Sequence, residues 1–405
     1  MNKTVYVNKD LADPMRCGNL RGIFTNLYNT NGYKTIEEDP LENHSVYVID
    51  SSQFFEIEKY FPKNIQMLYQ EFDDNHIYVM NDFSTIVEAY GPVIKNLHSS
   101  GFDINKIWIQ VSFNYEKTEI ISLLTDMDLP IPKIFCYNGY LDMAYDQYVQ
   151  HKNEIDAIKK TVVDNPKKFT LFIRRFDMWR FELMCDLIHH NLLDNFDYTF
   201  TNLHPEAIPY PHVYITKDEL KDKHIPGFVT KPETMHQWID GLPYHDGVLL
   251  NPFSKSLNMR FIKGAVNIVI ETRADNRGKH NLIITEKTFK PILMGKPFMI
   301  YGPSGILEIL RKEGFKTFQP YIDESYDLAV DSPKHKRKSI VKEVKRLSEL
   351  TDAEFFNTMN SKSIKNITKF NFKHFIKIAN SNYTTARQFY IELVGINIGP
   401  YRTDL

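Results

Sequence analysis

Short apolar runs alternate along this chain with segments whose apolar residues recur every three or four positions. That alternation predicts an α/β protein. In the first half, residues 45–49, 77–80, 106–111 and 133–137 are apolar runs of strand length. Residues 84–99, 117–127 and 142–163 carry helical spacing, and Asp164-Asn165-Pro166 ends the last of them. The rhythm then restarts, with a strand over 169–173 and a helix over 179–193. Strands over 266–271 and 298–301 flank a helix that begins at Glu286. Ile340, Val341, Val344, Leu347 and Leu350 fall on one face of a helix, and residues 370–393 read as helix again. The pattern predicts two α/β domains, 1–163 and 164–370, and a helical tail, 371–405, that packs back toward the first domain. Open parallel sheets bind ligands beyond the carboxyl ends of their strands, so the expected site is a cleft between the two lobes.

Composition narrows the class. At 405 residues the chain exceeds one ordinary core and suits two domains of roughly 150–200 residues each. Apolar residues make up 42% and charged residues 25%, the balance of a folded globular protein. A net charge of −2 argues against a general polyanion binder and leaves local patches open. Cys17, Cys136 and Cys185 show no paired spacing, which suits a reducing cytosol and signals neither zinc nor disulfide. No apolar signal region opens the chain and no apolar run approaches membrane-spanning length, so a cytoplasmic protein is expected. Heavy use of Asn, Lys, Ile, Tyr and Phe is typical of an AT-rich coding sequence, as in a phage, a virus or a low-GC bacterium.

The chemistry concentrates between Val266 and Asp327. A strand there puts Glu271 at its carboxyl end, a polar loop follows, and Thr285-Glu286-Lys287-Thr288-Phe289-Lys290-Pro291 opens a helix. Thr285 is a good N-cap, and Glu286 sits in the first turn against the helix dipole. Backbone N–H groups at this end, with Lys287 beside them, are expected to seat a phosphate. Glu271 and Glu286 are placed to accept hydrogen bonds from ribose or sugar hydroxyls. A bare Thr-Glu-Lys triplet is common at helix starts. What singles this one out is the order of Glu271, loop, Thr285–Thr288, Gly295-Lys296-Pro297-Phe298 and the Gly302-Pro303-Ser304-Gly305 turn.

That arrangement resembles the donor-binding signature of α-1,3-fucosyltransferase-like enzymes. It is more similar still to a group of phage and bacterial glycosyltransferases related to them. Gly314-Phe315-Lys316-Thr317-Phe318, Ile322-Asp323-Glu324-Ser325-Tyr326-Asp327, Phe172-Ile173-Arg174-Arg175 and Leu192-Leu193-Asp194 extend the likeness over about residues 165–350. The resemblance implies a GT-B fold, two Rossmann-like domains facing across a cleft, with a nucleotide-sugar held by the C-terminal one. It also implies inverting transfer with no metal and no cofactor beyond a UDP- or GDP-sugar co-substrate. Carried over, Lys287 and an arginine among Arg174, Arg175 and Arg180 neutralise the diphosphate, while Glu286 and Glu271 hold the ribose or donor sugar. Thr285, Thr288 and Lys290 complete the donor-binding set. Here the loop before Arg180 reads Phe-Asp-Met-Trp, where relatives carry a more polar one.

Inverting transfer requires a base for the acceptor hydroxyl. Asp50 and Glu71 follow predicted strands of the first domain and are the candidates, with Asp73 a weaker third. Asp126-Met127-Asp128 matches a metal-binding Asp-x-Asp pattern but falls at a helix end, which reads as a turn. His189 and His190 occupy consecutive helical positions and face different ways. For the acceptor, the run Lys334-His335-Lys336-Arg337-Lys338 offers cations. Lys336, Arg337 and Lys338 are its expected contacts to a phosphate backbone. Hydroxymethylated pyrimidines of phage double-stranded DNA are the first acceptor expected, flipped from the duplex. A glycan acceptor (lipopolysaccharide or a protein-linked sugar) is the second. A non-catalytic module binding sugar-nucleotide or nucleic acid is the alternative from a different class.

Overall fold

A computed structural model describes residues 5–7, 34–35, 46–50, 77–81, 87–173, 178–200, 260–271, 284–328 and 333–394. Two wholly parallel sheets organise them, as the alternating pattern requires. The chain divides into two compact units. The first comprises Met1–Tyr145, Gly278–Leu282 and Ile376–Leu405; the second comprises Asp146–Arg277 and Ile283–Phe375. The sequence placed the first boundary after residue 163 and the tail at 371. The units divide earlier on one side, inside a helix, and a few residues later on the other.

In the first unit, β1 (Val5–Val7), β2 (Lys34–Thr35), β3 (Val46–Asp50), β4 (Ile77–Asn81), β5 (Ile107–Val111) and β6 (Lys133–Cys136) lie in the order β2-β1-β3-β4-β5-β6. Helices α1 (Val87–Ser99) and α2 (Asn114–Asp126) pack on it. Every residue of β5 is buried, which is why this strand reads as a continuous apolar run. Ile107, Ile109 and Val111 meet Ile94 and Leu97 of α1 and Ile120 and Leu124 of α2 in one core. α2 starts earlier than its apolar spacing suggests because Glu116 reaches back to the backbone N–H groups of Ser112 and Phe113, at 2.9 and 2.8 Å. Those donors are unpaired at any helix start, and a carboxylate in the first turn satisfies them.

The chain leaves β1 to form β2 on one side and returns to form β3 on the other, so the strand order reverses between β1 and β3. Asp50 is the last residue of β3, level with Asn81 of β4. It therefore stands at the carboxyl end of the strand flanking the reversal.

In the second unit, β7 (Lys167–Ile173), β8 (Phe196–Phe200), β9 (Gly264–Ile270) and β10 (Phe298–Tyr301) lie in the order β10-β9-β7-β8. Helices α4 (Met178–His189), α5 (Glu286–Met294), α6 (Ile306–Lys312), α7 (Pro333–Glu349) and α8 (Asp352–Met359) belong to this unit. Two helices cross the division of the chain: α3 (Gly139–Lys159) and α9 (Lys362–Val394). In the first unit, the Asn138 N–H donates to Asn382 Oδ1 of α9 at 2.8 Å. In the second, Asn371 of α9 bonds the backbone N–H and C=O of Lys316, both at 2.8 Å. α5 ends at Gly295, whose φ of 68° is the left-handed cap that glycine adopts without strain. The short α6 and α8 carry too few residues for periodicity to reveal, and β8, Phe196-Asp197-Tyr198-Thr199-Phe200, has no continuous apolar run.

Gly264 opens β9 opposite Lys167 of β7. A Cβ there would stand 2.5 Å from Thr170 Cγ2 and 2.7 Å from the Phe169 carbonyl carbon and the Thr170 nitrogen. Two of those three atoms are backbone, so the strands would have to part. Gly264→Ala is expected to cost about 1–3 kcal/mol of stability, the range for overpacking. A lower midpoint in urea, with an unchanged m-value, checks this.

Candidate functional site

The second sheet has its own reversal. β7 is followed by β8 on one side and by β9 on the other, so the carboxyl ends of β7 and β9 flank the switch point. Ligands of open parallel sheets gather there because strands diverge and loops leave in opposite directions. Glu271 directly follows β9, and Tyr301, at the end of β10, pairs with Ile270.

The Glu271 side chain is fully buried. One carboxylate oxygen accepts the Thr285 N–H at 3.1 Å and the Thr288 hydroxyl at 2.5 Å. The other accepts the Thr285 hydroxyl at 2.6 Å. The Thr285 and Thr288 side chains are equally buried. Thus three donors from the first turn of α5 close on one carboxylate at the end of β9, and the sequence-predicted sugar contacts Glu271, Thr285 and Thr288 form an internal clamp. Arg180, in the first turn of α4, is buried as well and donates to the Glu271 carbonyl at 3.3 Å. Its guanidinium also lies 4.8 Å from the Trp179 ring centroid. Arg180, one of the arginines expected at the diphosphate, thus braces the backbone of the clamp.

Two side chains of α5 reach the surface beside the clamp. Lys287 Nζ donates to Glu286 Oε1 at 3.0 Å and to Thr285 Oγ1 at 3.2 Å, and its side chain is 36% exposed. Burial pushes the Glu286 carboxyl up, but the Lys287 charge and the hydrogen bonds from Lys287, Thr285 and its own backbone outweigh it. The net effect holds Glu286 below the usual carboxylate range, so at neutral pH it is a pure acceptor. The backbone donors of this turn are engaged within the chain: the Lys287 N–H meets Thr285 Oγ1 at 3.4 Å and the Thr288 N–H meets the Thr285 carbonyl at 3.1 Å. The phosphate seat read from the sequence as bare N–H groups is therefore a Glu286–Lys287 pair on a capped turn. Lys290 points inward, buried, with Nζ 4.5 Å from the Phe261 ring centroid. Burial pulls its pKa well below the ordinary lysine value against the opposing charge of Glu286. Its expected donor contact is replaced by a place in the core.

The turn after β10 is held against this corner. A Cβ on Gly302 would lie 3.1 Å from Glu271 Cβ, so glycine lets the turn approach the clamp. Behind the turn, Lys336 Nζ donates to Asp327 Oδ1 at 2.9 Å and to the Pro303 carbonyl at 2.7 Å. Asp327 Oδ2 accepts the Leu307 N–H at 2.8 Å, and its carbonyl accepts the Gly305 N–H at 3.0 Å. Lys336 and Asp327 are 1% and 2% exposed. Arg337, also buried, pairs with Glu182 and Asp186 of α4. Of the expected acceptor contacts, Lys336 and Arg337 are paired inside the fold, and Lys338 is exposed together with Lys334 and His335 of the same run. Sequence reasoning missed Asp327 as the partner of Lys336. An acid nine residues before a lysine has no helical or strand spacing to signal the pairing.

The Gly314–Asp327 stretch is likewise architectural. Phe315 and Phe318 are buried, Glu324 accepts the Phe318 N–H and pairs with Arg311, and the buried Tyr326 hydroxyl accepts the Ile300 N–H at 3.3 Å. Of the remaining candidates, Asp50 is placed by the backbone at the end of β3. Glu71, Arg174 and Arg175 lie outside the described residues. Asp126 ends α2, and Asp128 follows it at a φ of 53° in the turn. Among the described residues, no cluster of three His, Cys, Asp or Glu groups forms a metal site, and no helix is long and apolar enough to cross a membrane.

No family model matches the chain, and no curated protein does. Among solved structures, it is similar to a UDP-GlcNAc 2-epimerase from Neisseria meningitidis bound to UDP-GlcNAc. The likeness has 11% identity and a TM-score of 0.37, over 92% of this chain and 99% of the epimerase.

The buried Lys336–Asp327 pair has a direct stability test. Asp327→Asn leaves an uncompensated buried ammonium and is expected to cost about 3–5 kcal/mol. The double variant Asp327→Asn with Lys336→Met is expected to cost less than that single change, a coupling read from urea unfolding as a double-mutant cycle.

Proposed function

We propose that the chain is a nucleotide-sugar-dependent glycosyltransferase of GT-B type, with its donor site at the carboxyl rim of the second sheet. The observation carrying this reading is the Glu271 clamp, which fixes a Glu–Lys pair at the strand-order reversal. In the proposal, Lys287 exchanges Glu286 for the diphosphate of a UDP- or GDP-sugar. Glu286, released and ionised, accepts hydrogen bonds from ribose or sugar hydroxyls. As the glycosidic bond breaks, negative charge grows on the leaving nucleoside diphosphate, and a cation already in place stabilises it without reorganisation. Arg174 or Arg175, next in sequence after β7, would add a second cation for the diphosphate in this reading.

Asp50 is the base in this reading, since it ends the strand that flanks the reversal of the first sheet. It would take the proton of the acceptor hydroxyl as that oxygen attacks the anomeric carbon from the face opposite the leaving diphosphate, giving inversion. Glu71 remains the second candidate. The acceptor proposed is the hydroxyl of a 5-hydroxymethylpyrimidine in duplex DNA, with a glycan as the competing acceptor.

Calorimetric titration with UDP and GDP tests the donor site. Lys287→Ala is expected to weaken binding of the preferred nucleotide about ten- to a hundredfold, the worth of a charge-assisted hydrogen bond. Equal affinity in the variant would remove Lys287 from the site.

Turnover is read separately, as nucleoside diphosphate release from UDP- and GDP-sugars with and without hydroxymethylcytosine DNA. Asp50→Ala is expected to abolish transfer and leave nucleotide affinity unchanged. Full activity in that variant would shift the base elsewhere, and loss of wild-type activity in EDTA would overturn the metal-free mechanism.

A further inference from the structure

Besides the exposed residues of the α7 run, the described residues carry a second exposed basic row, on one face of α9. From Lys362 to Glu392 this helix contains no acid before Glu392 itself, on a chain whose net charge is −2. Lys365, Lys369, Lys373 and Lys377 recur every fourth residue, and all four are exposed. At 1.5 Å per residue they stand about 6 Å apart along the axis. The separation is shorter than the Debye length of about 8 Å at physiological salt, so each ammonium repels its neighbours. Like charges at this spacing destabilise a helix by about 0.2–0.5 kcal/mol per pair. Among the described residues none of the four is in an ion pair, and no acid lies on the helix between them.

Two features say what such a face fits. Lys316, on the neighbouring segment, places Nζ 4.3 Å from the Phe370 ring centroid, and Phe370 is 39% exposed and stacked on His374. A further cation and an aromatic surface therefore border the lysine row. The apolar face of α9 is already used: Ile364, Thr368, Asn371 and Phe375 are buried. Insertion of an amphipathic helix into lipid needs a free apolar face, and that of α9 is buried in the fold. A row of evenly spaced cations with one aromatic side chain beside it matches an evenly spaced polyanion.

We propose that Lys365, Lys369 and Lys373, with Lys316 and Phe370 beside them, form the docking surface for the phosphodiester backbone of duplex DNA. The inference rests on the DNA-acceptor reading above and assigns that acceptor a surface distinct from the donor clamp. Phosphate contacts of this kind position the duplex and carry no sequence preference.

The test is fluorescence anisotropy of a short unmodified duplex titrated with the full chain across a salt series. Comparison is with a variant carrying Lys365→Gln, Lys369→Gln and Lys373→Gln. Each phosphate contact contributes about 0.9 to the slope of log affinity against log salt, so the triple variant is expected to lose about 2.7 of it. Its UDP or GDP affinity should equal that of the wild type, which shows that the fold and donor site are intact. An unchanged slope, no duplex binding by the wild type, or binding to phosphatidylserine vesicles in place of the duplex would each overturn the proposal. Failure of the donor reading is seen separately, as wild-type protein that binds neither UDP nor GDP while the duplex slope still falls in the variant.

Discussion

One buried carboxylate sets the geometry on which the second unit's rim depends. Glu271 is a charged group with no exposure, a state tolerated only when hydrogen bonds replace the lost water. Three donors from a single helical turn do so, and each ties a different atom of that turn to the end of β9. Removing any one leaves part of a buried charge unsatisfied, so the turn is far more constrained than an ordinary N-terminus. Arg180 holds the same residue through its carbonyl, and Gly302 brings the next turn against its Cβ. Strand end, helix start and following turn thus share one centre. The surface pair Glu286–Lys287 inherits that rigidity.

Both sheets place an acid at the carboxyl end of the strand on one side of their strand-order reversals: Asp50 on β3 and Glu271 after β9. The topology accounts for the coincidence, since the reversal is where loops part and leave space beside a strand end. Glu271 has spent its oxygens on its own chain. A general base has to keep an oxygen available for a proton, so a fully caged acid is poorly suited to that task.

Much of this was legible in the sequence, and the part that was not has a physical reason. β10 matches its apolar run over Phe298–Tyr301, and α5 begins at Glu286 with Thr285 as its cap, as the turn chemistry predicts. Long buried strands and a capped helix are local properties, written in consecutive residues. The fate of a polar side chain is not local. Thr285 and Thr288 look like ligand contacts until Glu271, 14 and 17 residues earlier, is seen to take their hydroxyls. Lys336 and Arg337 look solvated until Asp327 and the α4 acids Glu182 and Asp186 close on them. The Gly314–Asp327 stretch, which extended the resemblance, packs Phe315, Phe318 and Tyr326 into the core and ties Asp327 to the turn after β10.

The lysines of this chain sort by what surrounds them, and the sorting bears on the nucleic-acid reading. Lys336 lies beside Asp327, and burial still pulls its pKa down despite that partner. Its donors are taken by Asp327 and the Pro303 carbonyl, so it is not available to a ligand. The α9 lysines are exposed with no acid between them along the helix, and an external anion or salt weakens their repulsion. Overall charge conceals this, because 51 acids against 49 basic residues average to near neutrality. A basic run in sequence therefore says less about polyanion binding than an exposed helical face without acids. On this chain Lys336 and Arg337 of the run are taken by internal acids, whereas every lysine of the α9 row from Lys365 to Lys377 is exposed.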